Sequence, residues 1–482
     1  MIDLRPVGYV TGLLGAVLGA AMLLPLAVDL AEGNGHWPAF AQSAIMTVLT
    51  GGLVALACAT GLHARMALQQ SFLLATSVWL VLPLFGALPF VLGHTGARPV
   101  DAVFEAMSGL TTTGGTVFTG LDTMPRGLLL WRSMLQWFGG VGIIVVAMVF
   151  LPDLRVGGMQ IFRSEAFDTG GKVLPRAAAI ASRITGIYVA LTGACALAYL
   201  GVGMSGFDAV NHAMTTLATG GFSTRDVSFA AFQGAPEYVS ALFMLLASLP
   251  FVRYIQLTTG SAGPLWRDPQ VRAFLATLAV LIALLFAYRV LARGDGAAHA
   301  LRESVFNTTS IITGTGFASA DYQLWGTFPV VLFFFIGLIG GCAGSTCCSV
   351  KIFRYQLLFA SVMAQVRRIH SPSGVFVPRY DGQAVAAEVM SSVTSFFVLF
   401  VLSLGATAVL LTFTGLDFVT SISGAATAIA NIGPGLGEII GPSGNFAAIN
   451  DAAKWILVVA MLLGRLELLV VLVLFLPRFW RG

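Results

Sequence analysis

The sequence predicts an all-α polytopic membrane protein, and three observations lead to that prediction. Of the 482 residues, 57% are hydrophobic and only 10% are charged, whereas a soluble domain carries about 25% charged residues. The apolar residues lie in continuous stretches near the ~20 residues that span a bilayer as a helix. They do not alternate with polar residues, as the strands of a membrane barrel would. The shortage of charge also excludes a disordered or nucleic-acid-binding chain.

Ten apolar stretches are predicted to span the membrane, the first being a retained helix rather than a signal peptide. They cover residues 7–30, 38–62, 71–93, 127–151, 176–202, 237–259, 271–292, 328–366, 384–413 and 452–476. The eighth stretch is too long and too rich in glycine to be one plain helix. With both termini in the cytoplasm, this threading places most of the 26 Lys and Arg residues on the inner face, as the positive-inside rule requires.

The charged residues in the loops allow two interpretations on each face of the membrane. Most of the 22 acidic residues fall on the outer face, where they either raise the local cation concentration at an entrance or belong to ordinary solvated loops. On the inner face, Arg367, Arg368 and Arg379 either contact anionic lipid or a cytosolic partner or follow the positive-inside rule alone. Lys454, at the outer end of the last span, is expected to be a snorkelling anchor.

The five cysteines and six histidines predict neither a disulfide framework nor a metal centre. The histidines are scattered and show no metal-binding spacing. Cys342, Cys347 and Cys348 lie close together, but small residues at a crowded helix break explain them more simply than a metal site. We therefore expect no catalytic residues and no organic cofactor in this chain.

Four segments with one shared plan divide the rest of the chain into repeats. Each begins as a helix of one to three turns rich in Ala, Ser, Thr and Met, and then enters a glycine-rich stretch that cannot continue as helix. Aligned on one glycine each, the segments place Gly114, Gly221, Gly316 and Gly435 in equivalent positions. Each segment is too short to span and lies between two spans. The predicted unit is span, re-entrant helix, extended stretch, span.

Four such units and an N-terminal two-helix pair account for all ten spans. The predicted boundaries are 1–66 for the pair and 67–155, 172–268, 269–370 and 380–482 for the repeats. Non-helical backbone at membrane depth must be buried in protein or line water. Four stretches around one axis would give a ring of carbonyl oxygens that replaces the hydration shell of a cation. The fold class is thus four M1–P-loop–M2 repeats around a pore; the alternative is four ordinary external loops.

At these segments the chain resembles the Trk/Ktr/HKT superfamily of potassium transporters, and within it the TrkH type. The motifs that carry the resemblance are TTTGG at 111–115, FGGVGIIV at 138–145, ATGGFS at 218–223, TGTGF at 313–317, GGCAGST at 340–346, NIGPGLG at 431–437 and MLLGRLELL at 461–469. The resemblance implies uptake of K⁺ across the bacterial inner membrane by a homodimer with one pore per protomer. It also implies a cytosolic TrkA-like nucleotide-binding ring on the inner face.

Carried over residue by residue, the resemblance implies a K⁺ filter of four triplets. These are Thr112-Thr113-Gly114, Thr219-Gly220-Gly221, Gly314-Thr315-Gly316 and Gly433-Pro434-Gly435. Pro434 departs from the other loops because it has no N–H group. Glycine rather than serine at position 114 favours K⁺ over Na⁺.

A gate is expected where the eighth span breaks in mid-membrane. The resemblance implies a gate at 340–350. The gate residues are Gly340, Gly341, Gly344, Ser345 and Thr346, together with Lys351 just beyond this range. A rigid packing kink is the alternative. Cys347, Cys348 and Ser349 stand where the family usually has further glycines, a departure that bears on the flexibility of the segment.

Arg465 is predicted to be a charge barrier in the pore. It sits in the middle of the last span, where an arginine costs about 2.5–3.5 kcal/mol on membrane-insertion scales. It should therefore face a water-filled cavity or a partner, and we expect it to project beneath the filter and oppose cation passage. A salt bridge between helices is the alternative.

Two other classes of function remain as alternatives to channel-like K⁺ permeation. A sodium- or proton-coupled secondary transporter is one, although the repeats run with the same topology rather than inverted. A membrane-embedded enzyme would need clustered His or acidic residues at membrane depth, and the sequence has none. Any response to nucleotide must come from a partner, because this chain has no soluble nucleotide-binding domain. Apart from that partner, membrane lipid is expected and nucleic acid is not.

Overall fold

Apolar helices dominate the structure, a computed structural model that describes residues 2–61, 66–93, 95–149, 158–159 and 173–481. The first eleven α-helices are α1 Arg5–Ala21, α2 Leu23–Glu32, α3 Trp37–Cys58, α4 Leu68–Gly86, α5 Leu88–Leu92, α6 Pro99–Leu110, α7 Arg126–Val149, α8 Val173–Gly201, α9 Gly206–Leu217, α10 Ala235–Ala247 and α11 Phe251–Thr258. The others are α12 Gly263–Arg267, α13 Pro269–Arg293, α14 Ala297–Ile312, α15 Thr327–Gly337, α16 Ile352–His370, α17 Ala387–Phe413, α18 Phe418–Ala430, α19 Gly437–Ile440, α20 Asp451–Arg465, α21 Leu469–Leu472 and α22 Pro477–Arg481.

Two minimal sheets are the only strands in these ranges. Strand β1 (Ile339–Gly340) pairs in parallel with β2 (Val350–Lys351), and β3 (Arg379–Tyr380) pairs antiparallel with β4 (Gln383–Ala384). The all-α fold class is therefore confirmed. Both sheets lie in connections between helices.

Seven helical segments of the described ranges are long and apolar enough to cross a membrane, and two bent pairs raise the number to nine. The eighth predicted stretch, 328–366, consists of α15 and α16 on either side of a non-helical break, as the glycines indicated. The chain is thus a multi-pass membrane protein.

Two predicted spans are not the single straight helices that hydropathy suggests. The stretch 237–259 is divided into α10 and α11, which meet at 90°. Pro250 lies at this break, where proline removes an N–H and disfavours helix in the residue before it. The stretch 452–476 bends by 103° after α20, because Glu467 and Leu468 both have a positive φ of 56°, which a helix cannot contain.

The N-terminal pair is held together by close backbone contact. Helices α1 and α3 approach so closely that a β-carbon on Gly12 would lie 2.6 Å from the carbonyl oxygen of Gly51. A β-carbon on Gly19 would lie 2.9 Å from Cβ of Thr47. Small residues permit this approach in a membrane, where packing rather than a hydrophobic driving force joins helices.

The four re-entrant helices are α6, α9, α14 and α18, which we call the pore helices. They contain 12, 12, 16 and 13 residues, so they are longer than the one to three turns expected. The C-terminal half of each is buried on every side. Small side chains allow this, and the fold therefore brings the four helix ends together.

Acidic residues near the N-termini of α6, α9 and α14 form ion pairs rather than a free negative surface. Asp101 binds Lys454 at 2.6 Å, and Glu303 binds Arg289 at 2.7 Å. The Lys454 side chain is 1% exposed, so the expectation of a snorkelling anchor is wrong: the nearby carboxylate compensates its charge within the protein. The same pairing makes these acids a weak source of attraction for external cations.

Candidate functional site

Each pore helix ends in a loop with the same backbone pattern. In every loop two residues, separated by one, adopt a left-handed conformation with positive φ. The pairs are Thr112 and Gly114 in loop 1, Thr219 and Gly221 in loop 2, Gly314 and Gly316 in loop 3, and Asn431 and Gly433 in loop 4. Glycine adopts this conformation at no steric cost, so the second position of each pair explains the glycine that all four loops contain.

The same backbone hydrogen bond closes each of the four loops. The amide between the two left-handed residues donates to the carbonyl five residues earlier, at 2.8–3.1 Å. The donor and acceptor pairs are Thr113 and Ser108, Gly220 and Thr215, Thr315 and Ser310, and Ile432 and Thr427. The loops are therefore copies of one local structure, despite their different sequences.

The fourth loop is offset from the sequence alignment by two residues. Gly433, not Gly435, is the counterpart of Gly114, Gly221 and Gly316. The amide of Gly435 instead donates to the carbonyl of Ile440 at 2.7 Å, beyond the turn. The segment in register is Asn431-Ile432-Gly433, and Pro434 follows it, so the missing N–H of the proline falls outside the shared turn.

The loops contact one another in chain order and close into a ring. In each contact, a β-carbon built on the glycine of one loop would press against the carbonyl oxygen of the residue before the glycine in the next loop. The contacts are Gly114 with Gly220, Gly221 with Thr315, Gly316 with Ile432, and Gly433 with Thr113 at 2.9 Å. The fourth contact returns to loop 1. Any side chain at these glycines would displace a neighbouring carbonyl.

A small cavity opens onto the glycine side of the ring. It is lined by the second left-handed glycine of all four loops together with polar residues such as Thr116, Asp226 and Asn445. Its volume of about 60 Å³ holds an ion with a few waters rather than an organic ligand. We call it the outer cavity.

A buried ion pair connects loops 1 and 2. Glu105 of pore helix α6 accepts from Nε of Arg132 at 2.7 Å, and both side chains are at most 1% exposed. Glu105 also accepts from the Val117 amide of loop 1 at 2.9 Å, while Arg132 donates to the Ser223 carbonyl of loop 2 at 2.8 Å. Each charge is therefore both paired and hydrogen-bonded, the condition under which buried charges are tolerated.

Polar residues equivalent to Glu105 support loops 2 and 3. His212 contacts Ser223 Oγ at 3.0 Å, and Asn307 donates to Ser319 Oγ at 3.0 Å. All three residues stand at the same distance before the glycine of their repeat. They were not singled out from the sequence, although a polar residue recurring inside an apolar helix was the available signal.

Two amide side chains attach the ring to the surrounding helices. Gln136 of α7 accepts from the Phe222 amide at 3.0 Å and donates to the carbonyl of Gly220. Asn431 donates to Thr113 Oγ1 at 2.9 Å and to the Met461 carbonyl of α20 at 3.0 Å. Loop 4 is thus bound directly to loop 1. Gln136 was not singled out from the sequence, although an amide within an apolar span was again a signal.

The break in the eighth span forms a buried segment, residues 338–351, which we call the intramembrane loop. All six predicted gate residues lie in it. It is held by the bend between α10 and α11, because the Cys342 amide donates to the Ser248 carbonyl at 3.0 Å and the Phe251 amide donates to the Gly344 carbonyl at 3.0 Å. At its other end, the Ser349 amide donates to the carbonyl of Ala430 at 3.0 Å, so the loop contacts the end of pore helix α18.

Arg465 ends α20 and is 3% exposed, so it avoids lipid. Its Nη1 contacts Cys348 Sγ at 2.7 Å, and its Nη2 donates to the Gly139 carbonyl of α7 at 3.0 Å. Among the described residues, Glu467 pairs instead with Arg354. In the part of the chain that the structure describes, the hydrogen-bond partners of Arg465 are thus a thiol and a carbonyl rather than a carboxylate, which disfavours the salt-bridge alternative.

Known proteins resemble this chain along its whole length. The TrkH family model, described as a cation transport protein, matches residues 36–481. The Trk system potassium uptake protein TrkI of Halomonas elongata is 44% identical over 99% of this chain and 97% of its own length. The TrkH protein of Escherichia coli is 36% identical over 99% of both chains. The crystal structure of the potassium transporter TrkH from Vibrio parahaemolyticus superimposes with a TM-score of 0.92 at 34% identity, covering 100% of both chains.

Proposed function

The chain belongs to the TrkH family of cation transport proteins, a transporter family rather than an enzyme family, and from this premise we propose that it takes up K⁺ through the ring of four loops. The observation that carries the proposal is the closure of four equivalent loops into a ring in chain order. A ring of backbone carbonyls around one axis replaces the water that a cation loses on entry. The relatives named as potassium uptake proteins support K⁺ as the transported ion.

In this proposal the filter consists of the carbonyls at and between the left-handed residues of each loop. These carbonyls belong to Thr112, Thr113 and Gly114 in loop 1, to Thr219, Gly220 and Gly221 in loop 2, to Gly314, Thr315 and Gly316 in loop 3, and to Asn431, Ile432 and Gly433 in loop 4. The support is steric: a glycine stands at each place where one loop meets a carbonyl of the next, and polar groups behind the loops fix their positions. Such fixed dipoles need no reorganisation when an ion arrives.

The intramembrane loop is the proposed gate and Arg465 the proposed charge barrier. The loop is buried, and its hydrogen bonds attach it both to the bent span α10–α11 and to pore helix α18. A guanidinium about 4 Å from a cation opposes it by about 4 kcal/mol at an effective dielectric constant of 20. Arg465 therefore adds an electrostatic barrier to the steric one while the loop is in place.

Regulation is proposed to come from outside the chain. The exposed basic end of α16, with Arg367 and Arg368, and the adjoining β3–β4 hairpin offer a polar surface to a cytosolic nucleotide-binding ring. We propose that the protein works as a homodimer in the bacterial inner membrane with both termini cytoplasmic. The name "Trk system" given to the relatives supports an assembly of several components.

Uptake of ⁸⁶Rb⁺ into proteoliposomes tests the proposed function. The purified full-length protein is reconstituted with a K⁺ gradient, and external K⁺ or Na⁺ is added as competitor. We expect concentrative ⁸⁶Rb⁺ uptake that K⁺ suppresses and Na⁺ does not. Equal competition by Na⁺ would contradict a K⁺-selective filter, and uptake that requires a proton or sodium gradient would favour the coupled transporter.

A further inference from the structure

Cys348 lies between two loops on opposite sides of the ring. Its Sγ is 3.5 Å from Oγ1 of Thr112 in loop 1. A β-carbon built on Gly314 of loop 3 would lie 3.5 Å from both the Cβ and the backbone nitrogen of Cys348. Thr112 and Gly314 are equivalent residues, and their loops are opposite each other in a ring ordered 1-2-3-4. A residue that contacts both of them lies at the centre of the ring.

The position of Cys348 along the ring follows from which residues it contacts. Thr112 and Gly314 are the left-handed residues nearest the pore helices, whereas the outer cavity is lined by the later glycines, including Gly114 and Gly316. Cys348 therefore occupies the end of the ring away from the outer cavity. This is the end through which an incoming ion must leave the filter.

The neighbours of Cys348 keep its side chain in that place. Ser349 Oγ contacts the Gly337 carbonyl at 2.6 Å, in addition to the backbone bond from Ser349 to Ala430. The adjacent thiol has a different environment, because Cys347 Sγ donates to Ser248 Oγ at 2.8 Å. The side chains of the two cysteines thus have different neighbours, and of the two only Cys348 contacts both the filter and Arg465.

We propose that Cys348 is the side chain that closes the inner end of the filter and positions Arg465 there, an inference that rests on the proposed function. Its Cβ and Sγ fill the space between two opposite loops, so no K⁺ passes while the intramembrane loop is in place. Its Sγ accepts from Arg465 Nη1, which keeps the positive charge beside the obstruction. Movement of the intramembrane loop removes the obstruction and frees Arg465 in one step.

Substitutions of graded size at position 348 test this role. The full-length wild type, Cys348→Gly, Cys348→Ala and Cys348→Ser are reconstituted without any partner, and initial ⁸⁶Rb⁺ uptake is compared. We expect Cys348→Gly to raise uptake about tenfold, since the filter exit loses its steric block. Cys348→Ala should give a smaller increase, and Cys348→Ser, which keeps the size and an acceptor for Arg465, should stay near wild type. Cys347→Ala is the matched comparison, because it shortens the side chain at the neighbouring position of the same loop, whose thiol binds Ser248 rather than the filter, and it should raise uptake less than Cys348→Ala does.

The outcomes separate this inference from the proposed function. Wild-type uptake in properly folded Cys348→Gly and Cys348→Ala, judged by monodisperse elution, would overturn the role of Cys348. An equal increase in Cys347→Ala and Cys348→Ala would also overturn it, because a general loosening of the loop would then explain the effect. If no variant, including Arg465→Ala, transports ⁸⁶Rb⁺ while an added ionophore does, it is the proposed function that fails.

Discussion

Neutralising Glu105 with the isosteric change Glu105→Gln should be among the most damaging polar substitutions near the ring. The change leaves Arg132 charged and buried without a counter-ion. Removing one partner of a buried pair costs about 3–5 kcal/mol. The pair between Arg126 and Glu32 provides the matched control, because its arginine lies on the same helix α7 and its distance is a similar 2.8 Å, but its side chains are 59% and 29% exposed. Exposed pairs contribute about 0–1 kcal/mol, so Glu32→Gln should be nearly silent.

The assay combines stability with selectivity. Inactivation half-lives of detergent-solubilised variants at one elevated temperature rank their stability, since unfolding of such proteins is often irreversible. The ratio of Rb⁺ to Na⁺ uptake should also fall in Glu105→Gln, because Glu105 and Arg132 bind the backbone of loops 1 and 2. The double variant Glu105→Gln/Arg132→Gln should recover part of the stability by removing the uncompensated charge. The reasoning is refuted if Glu105→Gln is as stable and selective as Glu32→Gln, or if the double variant recovers nothing.

Three further predictions address the register, the barrier and the outer surface. Gly433→Ala should reduce the Rb⁺ over Na⁺ preference severely, because φ there is 104°. Gly435→Ala should be milder, because its β-carbon would meet the side chains of Ile440 and Ser423 rather than backbone. The opposite order of uptake ratios would restore the alignment on Gly435. Arg465→Ala should raise ⁸⁶Rb⁺ flux, and unchanged flux would eliminate the charge barrier. Burial alone would raise the pKa of Asp208, but hydrogen bonds from Thr224 and Ser205 and the Arg225 guanidinium lower it. Its stabilisation is therefore present above the unfolded pKa of about 3.9 and is lost as pH falls through the lower folded value. The stability advantage of wild type over Asp208→Asn should then be constant near neutral pH and shrink in acid, and an advantage independent of pH would contradict it.

Much of the architecture follows from local sequence, because hydropathy and glycine content are properties of short stretches of the chain. The spans, the four re-entrant segments and the break at 340–350 are all visible as runs of apolar residues or clusters of glycine. The bends at Pro250 and at Glu467 were not predicted, because a hydropathy window averages over a helix break whose residues are still apolar. Length and composition therefore locate the apolar stretches but not the bends within them.

The register of loop 4 shows why aligning repeats by sequence is less reliable than comparing their backbone conformations. The motif NIGPGLG contains two glycines two residues apart, and composition gives no reason to prefer either. The structure distinguishes them because Asn431 takes the left-handed position that Thr112 and Thr219 occupy in loops 1 and 2. Asparagine tolerates that conformation better than most residues, so the information was present in a residue type rather than in the glycine count.

Contacts between distant repeats were beyond the sequence. The pairs Asp101 with Lys454 and Cys348 with Arg465 join residues 353 and 117 positions apart. No periodicity specifies such partners, since they depend on which helix ends the ring brings together. Lys454 was misjudged for this reason: a lone lysine near a span end is typical of a surface anchor until its carboxylate is known.

Ring closure has a consequence for how the protein is made. The bond from Asn431 to Thr113 joins the last loop to the first across 318 residues, and each loop rests on its successor. A chain emerging from the ribosome therefore holds three loops with an open side until the fourth repeat has entered the membrane. Long-range closures of this kind are slow and leave incomplete intermediates exposed. Late synthesis, rather than insertion of the first spans, should be the stage at which newly made chains depend most on quality control.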